Sequence, residues 1–264
     1  MFDEGLDIVV VNYKTPDDLE KFLNSYQFQS SRVPSEVFVM DVNPSEDGQY
    51  QIREYLSGCS FQFSYWPIDY NCGYALACNF GALLGDREAI AFFNADTELH
   101  DTTLDDCYTR LFSKKSFGVV GPMQVNSSGK ITHAGIFGTN KNPKHRGWMS
   151  RSPNRFNDVR EDAISVSGSA YFIRRETWDD VHRQMQKVHP DVEGAMMPSQ
   201  LYYEETAVSY VARSLGWKVV YDGSTTMIHE FDQAPKSQRD KKALMNESRR
   251  MFRRTMDQLG IERD

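Results

Sequence analysis

Nowhere in this 264-residue chain does an apolar run approach the roughly 18 residues that a membrane span requires. The opening MFDEGLDIVVVNYKTP sets acids ahead of a short apolar run and a proline. It lacks the basic start and longer apolar stretch of a secretory signal, so export is not expected. Cysteine is scarce: Cys59, Cys72, Cys78 and Cys107 form no C-x-x-C pair and have no histidine at zinc spacing, which points to free thiols in a reducing cytoplasm. Positive charge is in deficit, with 30 Lys and Arg against 37 Asp and Glu and a net of −7, and this argues against broad nucleic-acid binding. Repeats, low-complexity tracts and linkers are missing too. Aromatic residues are plentiful (13 Tyr and 16 Phe), so the chain has the material for a packed core.

The apolar runs that are present are short and bounded by turn signals. Leu6 to Val11 is a continuous β-branched run, the pattern of a strand covered on both faces. Thr15-Pro16-Asp17-Asp18 then opens a helix whose apolar face is Leu19, Phe22, Leu23 and Tyr26. Strands are predicted at Glu36 to Asp41, Phe61 to Trp66 and Ala89 to Phe93, with helices at Gln49 to Leu56 and Asn71 to Leu84. This alternation predicts an α/β, doubly wound, mostly parallel Rossmann-like sheet, in which ligands sit at the carboxyl ends of the strands. Asn12, Asp41, the Asn71 turn and Asp96 all fall at those ends. Further on, the pattern predicts a strand at Phe117 to Val120, a loop region from Asn126 to Trp148, and a strand from Ile164 to Ile173 kinked at Ser167-Gly168-Ser169. Helices follow at Glu176 to Val188, at Glu204 to Leu215 and, after a Trp217 to Tyr221 strand, at Gln238 to Leu259.

Three places could carry chemistry. Asp96 ends a buried strand, where a carboxylate needs compensation by a hard cation, or else caps a helix at Thr97-Glu98. Glu204 and Glu205 open a helix, where they complement its dipole or one of them acts as a general base; they point about 100° apart, so at most one faces a site. His229 follows a strand and a small loop, as a structural imidazole or as a metal ligand paired with Asp96.

In their order, these segments resemble family 2 glycosyltransferases of the GT-A fold, in the branch with rhamnosyl- and galactofuranosyl-type enzymes. The matching stretches are VVVNYKTP, DVNPSEDG, NCGYALACN, FFNADTEL, VSGSAYFIRRETWDDV and YYEETAVSYVARSLGWKVVYDGSTTMIH. The resemblance implies that Asn12, Asp41, Asn71, Gly73 and Asn94 line the donor site, with Asp41 on the base or ribose. It makes Asp96 and His229 the protein ligands of a Mn²⁺ or Mg²⁺ ion. Glu205 aligns with the catalytic carboxylate, Glu204 being the alternative, while Gly168 and Ser169 lie on the acceptor side. Asn94 and Ala95 leave one carboxylate where the fuller motif has more, which implies modest metal affinity.

The implied activity is metal-dependent, inverting transfer from a nucleotide sugar, UDP- or dTDP-linked, to a hydroxyl of a glycan, lipid or protein. The alternatives are a non-catalytic nucleotide-sugar or glycan-binding module and a nucleotidyltransferase, although Val10 to Pro16 lacks the glycine-rich phosphate loop expected of the latter. The expected organisation is a GT-A domain over residues 1–231, with a nucleotide-sugar half at 1–98 and an acceptor half at 99–231, followed by a helical extension at 232–264. That extension carries Lys236, Arg239, Lys241, Lys242, Arg249, Arg250, Arg253 and Arg254, either a solvated face or a contact for diphosphate, a partner or an anionic membrane surface. The expected location is accordingly cytoplasmic, with a peripheral membrane association as the variant.

Overall fold

The computed structural model describes residues 2–139, 142–230 and 238–262. Strand β1 (Asp3–Asn12) is followed by α1 (Pro16–Gln27), β2 (Ser35–Val42), α2 (Glu46–Ser57), β3 (Phe63–Ile68), α3 (Tyr74–Ala82) and β4 (Arg87–Asn94). The second half runs β5 (Thr97–Leu99), α4 (Thr103–Phe112), β6 (Phe117–Val125), β7 (Ile131–His133), β8 (Ile136–Thr139) and β9 (Asn142–His145). It ends with β10 (Val159–Ala163), β11 (Ala170–Arg174), α5 (Arg175–Met185), α6 (Glu204–Ser214), β12 (Lys218–His229) and α7 (Gln238–Gln258).

The main sheet has the order β10-β12-β6-β11-β4-β1-β2-β3, with β5 added to β12 and β7 added to β6. Strands β3, β2, β1 and β4 are mutually parallel, and β6 is parallel to β12. Antiparallel β11 joins these two parallel blocks through β4 and β6. The chain leaves β1 toward β2 and β3, then returns to β4 on the other side, so a crevice opens at the carboxyl ends of β1 and β4. Helices cover both faces, which is why β1 reads as an unbroken apolar run. Val9 and Val11 pack with α3, α5, α6 and α7, whereas Leu6, Ile8 and Val10 pack with α1, α2 and α4.

Several sequence expectations need correction. Thr97 and Glu98 do not begin a helix; they pair with His229 and Ile228 in β5–β12, so Asp96 lies in a strand-to-strand turn and caps nothing helical. The helix expected from Asn71 begins at Tyr74, because the Asn71 side chain accepts the Gly73 N–H (3.1 Å) and Gly73 adopts φ +81°. The strand expected from Ile164 begins only at Ala170. Over the intervening stretch the backbone bonds elsewhere, Ile164 N–H to the Ile136 carbonyl (2.8 Å) and Ser167 N–H to His133 Nε2 (3.1 Å). The region predicted as loop from Asn126 contains β7, β8 and β9, and His229 ends a strand that begins at Lys218 and is not preceded by a separate loop. The boundary expected at residue 231 and the basic residue Lys236 fall outside the described residues, as does the side chain of Arg239.

Candidate active site

At the carboxyl ends of β1 and β2, Asn12 and Asp41 are side by side in the register, and both are buried. Asn12 Nδ2 donates to Asp41 Oδ1 at 2.8 Å, and the Tyr65 phenol of β3 donates to Asp41 Oδ2 at 2.6 Å. Burial pushes the Asp41 carboxyl above its ordinary range, and the Tyr65 and Asn12 hydrogen bonds offset only part of that. In front of this pair lies a 240 Å³ cavity lined by Asn12, Lys14, Asp41, Asn43, Ser45 and Gly48 among others. Lys14 and Asn43 hold left-handed backbone conformations (φ 60° and 51°), which fold the two loops around the opening.

Asp96 and His229 meet at the end of β4. Asp96 Oδ1 and His229 Nε2 are 3.5 Å apart, with side-chain exposures of 14% and 6%. The separation is long for a hydrogen bond but suits two ligands of one divalent ion bound at about 2.0–2.2 Å. Burial acts to raise the Asp96 carboxyl, yet the nearby His229, its own backbone and the Asn94 side chain together hold it below the ordinary carboxylate value. Among the described residues no group of three or more His, Cys, Asp or Glu side chains gathers anywhere, so this pair has no third protein ligand of those types there. On the buried side, His229 Nδ1 lies 2.9 Å from Gln124 Oε1, and the same oxygen accepts from Ser169 Oγ at 2.8 Å.

The two adjacent glutamates occupy different surroundings. Glu204 is buried (3% exposed) and accepts from Ser199 Oγ at 3.0 Å. Burial, and then the charge of Glu205, push its carboxyl far up. Glu205 is half-buried and lies against Gly168: a Cβ built on that glycine would stand 3.4 Å from Glu205 Cγ. Its carboxyl is also raised, by burial, and the Thr206 hydroxyl donates to it only at long range (3.3 Å). The helix bearing both begins after Tyr202 and Tyr203, which are consecutive residues in the left-handed region (φ 74° and 70°), a costly conformation for aromatic side chains. This turn is held by Ser248 Oγ on the Leu201 carbonyl (2.6 Å), by Arg249 Nε on the Tyr203 phenol (2.9 Å) and by Phe252 packed on the Tyr203 ring.

The contacts thus chain Asp96, His229, Gln124, Ser169, Gly168 and Glu205 into one cluster, and Asn94 N–H reaches the Ser169 carbonyl at 3.4 Å. The Asn12–Asp41 pair forms its own group on the neighbouring strand ends. Asn71, Gly73 and Asn94 do not line the 240 Å³ cavity. Gly73 is fitted instead against Gln200, whose Cα would lie 2.8 Å from an added Cβ, and the next N–H, Tyr74, donates to the Gln200 carbonyl. Sequence alone does not single out Tyr65, Gln124 or Ser199. The signal available for Gln124 is a lone amide in the apolar strand FGVVGPMQV, and for Tyr65 a phenol two residues before a proline near a strand end. No helix among the described residues is long and apolar enough to cross a membrane.

The family model described as "Glycosyl transferase family 2" matches residues 7–179. No curated protein matches the chain. Among solved structures, the mannosyltransferase PcManGT from Pyrobaculum calidifontis, in complex with GDP-Man and Mn²⁺, aligns with a TM-score of 0.62 at 13% identity, covering 89% of this chain and 59% of its own. GalNAc-T7, with UDP, GalNAc and Mn²⁺, aligns with a TM-score of 0.66 at 14% identity, covering 86% of this chain and 44% of its own. The chain therefore spans about half the length of these structures, and at such identities the likeness is one of fold.

Proposed function

The chain belongs to glycosyl transferase family 2, and from that premise we propose that it transfers a sugar from a nucleoside-diphosphate sugar to an acceptor hydroxyl, with inversion and with a divalent cation. The observation that carries this reading is the Asp96–His229 pair, 3.5 Å apart at the carboxyl edge of the sheet, beside the Asp41 cavity. Both solved neighbours hold Mn²⁺ with a nucleotide or nucleotide sugar, which favours the same class of ligand here.

Asp41, with Asn12 and Tyr65 fixing its two oxygens, presents a buried acceptor to the base or ribose of a UDP- or dTDP-linked donor. Asp96 and His229 would hold Mn²⁺ or Mg²⁺. Neutralisation of the leaving diphosphate is the chemistry such an ion supplies when bound. Glu205 takes the proton of the acceptor hydroxyl as that oxygen attacks the anomeric carbon from the face opposite the diphosphate. Its carboxylate rests against Gly168, where the absence of a side chain leaves room for the acceptor, and Ser169 lines the same side. Burial and the charge of Glu205 push Glu204 toward its neutral form, outweighing the Ser199 hydrogen bond, and this favours Glu205 as the base.

The four cysteines are free thiols, in keeping with a reducing cytoplasmic setting. The exposed Lys242, Arg250, Arg253 and Arg254 of α7 offer the contact to an anionic membrane surface. The test is a donor screen for nucleotide release with Mn²⁺ present, across UDP-, dTDP- and GDP-sugars. Release from one donor that disappears on chelation supports the reading. Tight donor binding without release under any condition would make the protein a binding module instead.

A further inference from the structure

Gln124 is buried to 0% exposure in the middle of the sheet, and its bonding is one-sided. It lies opposite Met227 in the parallel β6–β12 pairing, so His229, two residues further along, is its diagonal neighbour on the same face. Its carbonyl oxygen receives two contacts, His229 Nδ1 at 2.9 Å and Ser169 Oγ at 2.8 Å. Its amide nitrogen is buried with no hydrogen-bond partner. An amide kept only to satisfy the fold would use its donors, because an orphaned buried N–H₂ carries its full desolvation cost. Here the donor end is sacrificed and the acceptor end is saturated.

The hydrogen bonds have a direction. Ser167 and Ser169 share a hydroxyl contact of 2.8 Å, and the Ser169 hydroxyl passes its own proton on to Gln124 Oε1. With that oxygen as acceptor, the proton on His229 must sit on Nδ1. In the neutral ring Nε2 then carries the lone pair, and Nε2 is the atom that faces Asp96 Oδ1 at 3.5 Å. In that tautomer Nε2 and the Asp96 carboxylate are two acceptor atoms facing one another, an arrangement that a bound cation satisfies.

We propose that Gln124 is a positioning residue: its side-chain oxygen, fixed by Ser169, locks His229 in the Nδ1–H tautomer so that Nε2 and Asp96 together present a two-ligand cation seat. The consequence for the cation rests on the reading given under Proposed function; the tautomer does not. A ligand imidazole oriented through its second nitrogen typically loses about 10–100-fold in metal affinity when that partner is removed.

The experiment has two independent arms on the full chain. In the first, nitrogen–proton correlation spectra of the metal-free protein are recorded in alkaline buffer, where an imidazole is neutral. The expected result is a proton on Nδ1 of His229 in the wild type and mixed tautomers in Gln124→Met; an Nε2–H ring in the wild type would overturn the proposal. In the second, Mn²⁺ binding in the presence of UDP is followed by paramagnetic resonance. Gln124→Met should weaken it about 10–100-fold, whereas Gln124→Glu, which keeps an acceptor oxygen, should bind at least as tightly as the wild type. In a His229→Ala background, Gln124→Met should cost nothing more, and an equal further loss would show that Gln124 does not act through His229. A wild type that is Nδ1-protonated yet binds no Mn²⁺ would uphold the positioning role and remove the cation reading.

Discussion

Two acid–base pairs, one buried and one partly buried, sit at opposite edges of the same sheet, and they are built on opposite principles. At the amino edge, Asp7 of β1 is paired with Arg175, the first residue of α5, and accepts the Arg87 N–H at 3.0 Å. Arg175 also donates to the Arg87 carbonyl (2.9 Å) and the Ala82 carbonyl (2.7 Å), so all three guanidinium nitrogens are engaged and Asp7 Oδ2 accepts twice. At the carboxyl edge, Asp96 and His229 stand 3.5 Å apart, and the imidazole is tethered from behind by Gln124. A buried ion pair in contact through a guanidinium that uses all its nitrogens ties a helix to a strand; a pair 3.5 Å apart at the carboxyl edge has the spacing of two ligands of one ion. The adjacent glutamates differ in exposure in the same sense: Glu204 is buried on Ser199, while Glu205 is half-buried and faces Gly168.

If openness marks function, the largest effect belongs to Glu205. Glu205→Gln should lower transfer by about 10²–10⁴-fold, the usual contribution of a general base, without a comparable change in donor binding. Glu204→Gln should keep most of the activity. Steady-state rates of both variants with a working donor decide the matter: the reverse ranking would put the base on the buried glutamate and break the comparison.

The amino-edge pair should show the opposite profile. Asp7→Ala strands the Arg175 guanidinium in the interior and should cost about 3–5 kcal/mol of stability in urea unfolding, while the fraction still folded binds Mn²⁺ with UDP as the wild type does. Asp96→Asn should unfold within about 1 kcal/mol of the wild type, since it removes no saturated network, and should lose Mn²⁺ binding. An Asp96 variant as destabilised as the Asp7 variant would mean that the carboxyl-edge pair is structural as well.

Asp41 sharpens the contrast, because it is satisfied by Asn12 and Tyr65 and yet lines the 240 Å³ cavity. Its two hydrogen bonds leave each oxygen a further lone pair, so it can still accept from a ligand. Asp41→Ala should raise the donor KM about tenfold, equivalent to one lost hydrogen bond of roughly 1.4 kcal/mol, and lower kcat less. A change confined to the acceptor KM would remove Asp41 from the donor side.

What is legible in the sequence follows the same division. The strands and helices of the first half announce themselves because each is covered on both faces or carries one apolar stripe; Leu19, Phe22, Leu23 and Tyr26 are all buried as the helical period requires. Thr97–Leu99 is not legible as a strand, because three residues acquire that form only by pairing with Met227 to His229. The stretch from Ile164 to Ser169 looks like a strand by composition, but its backbone bonds to Ile136 and His133, partners that no local pattern names. Asp96, Glu205 and His229 are singled out as proposed site residues by their motif order. Gln124 is not, since its meaning lies in a cross-strand contact with His229 and in the choice of which end of the amide is used.

The smallest expected effect concerns pH and comes from Glu204. Its carboxyl is raised in the folded protein by burial and by the neighbouring charge of Glu205, against an ordinary value of 4.5. Between that ordinary value and the raised one, the folded state retains a proton that the unfolded state has released. Stability therefore falls as pH climbs through the window and levels off above the raised value. The amide introduced by Glu204→Gln has no proton to lose and escapes the penalty. The variant should match the wild type near pH 4, apart from the altered bond to Ser199. Toward pH 8 it should gain by about 1 kcal/mol or more, since each tenfold difference in proton affinity between the folded and unfolded states is worth about 1.4 kcal/mol. Urea unfolding of both proteins across that range measures the difference, in which the titrations of groups remote from Glu204 cancel and the coupling to Glu205 is included. A constant offset at every pH would show that Glu204 titrates normally in the fold, and burial would then not separate it from its neighbour.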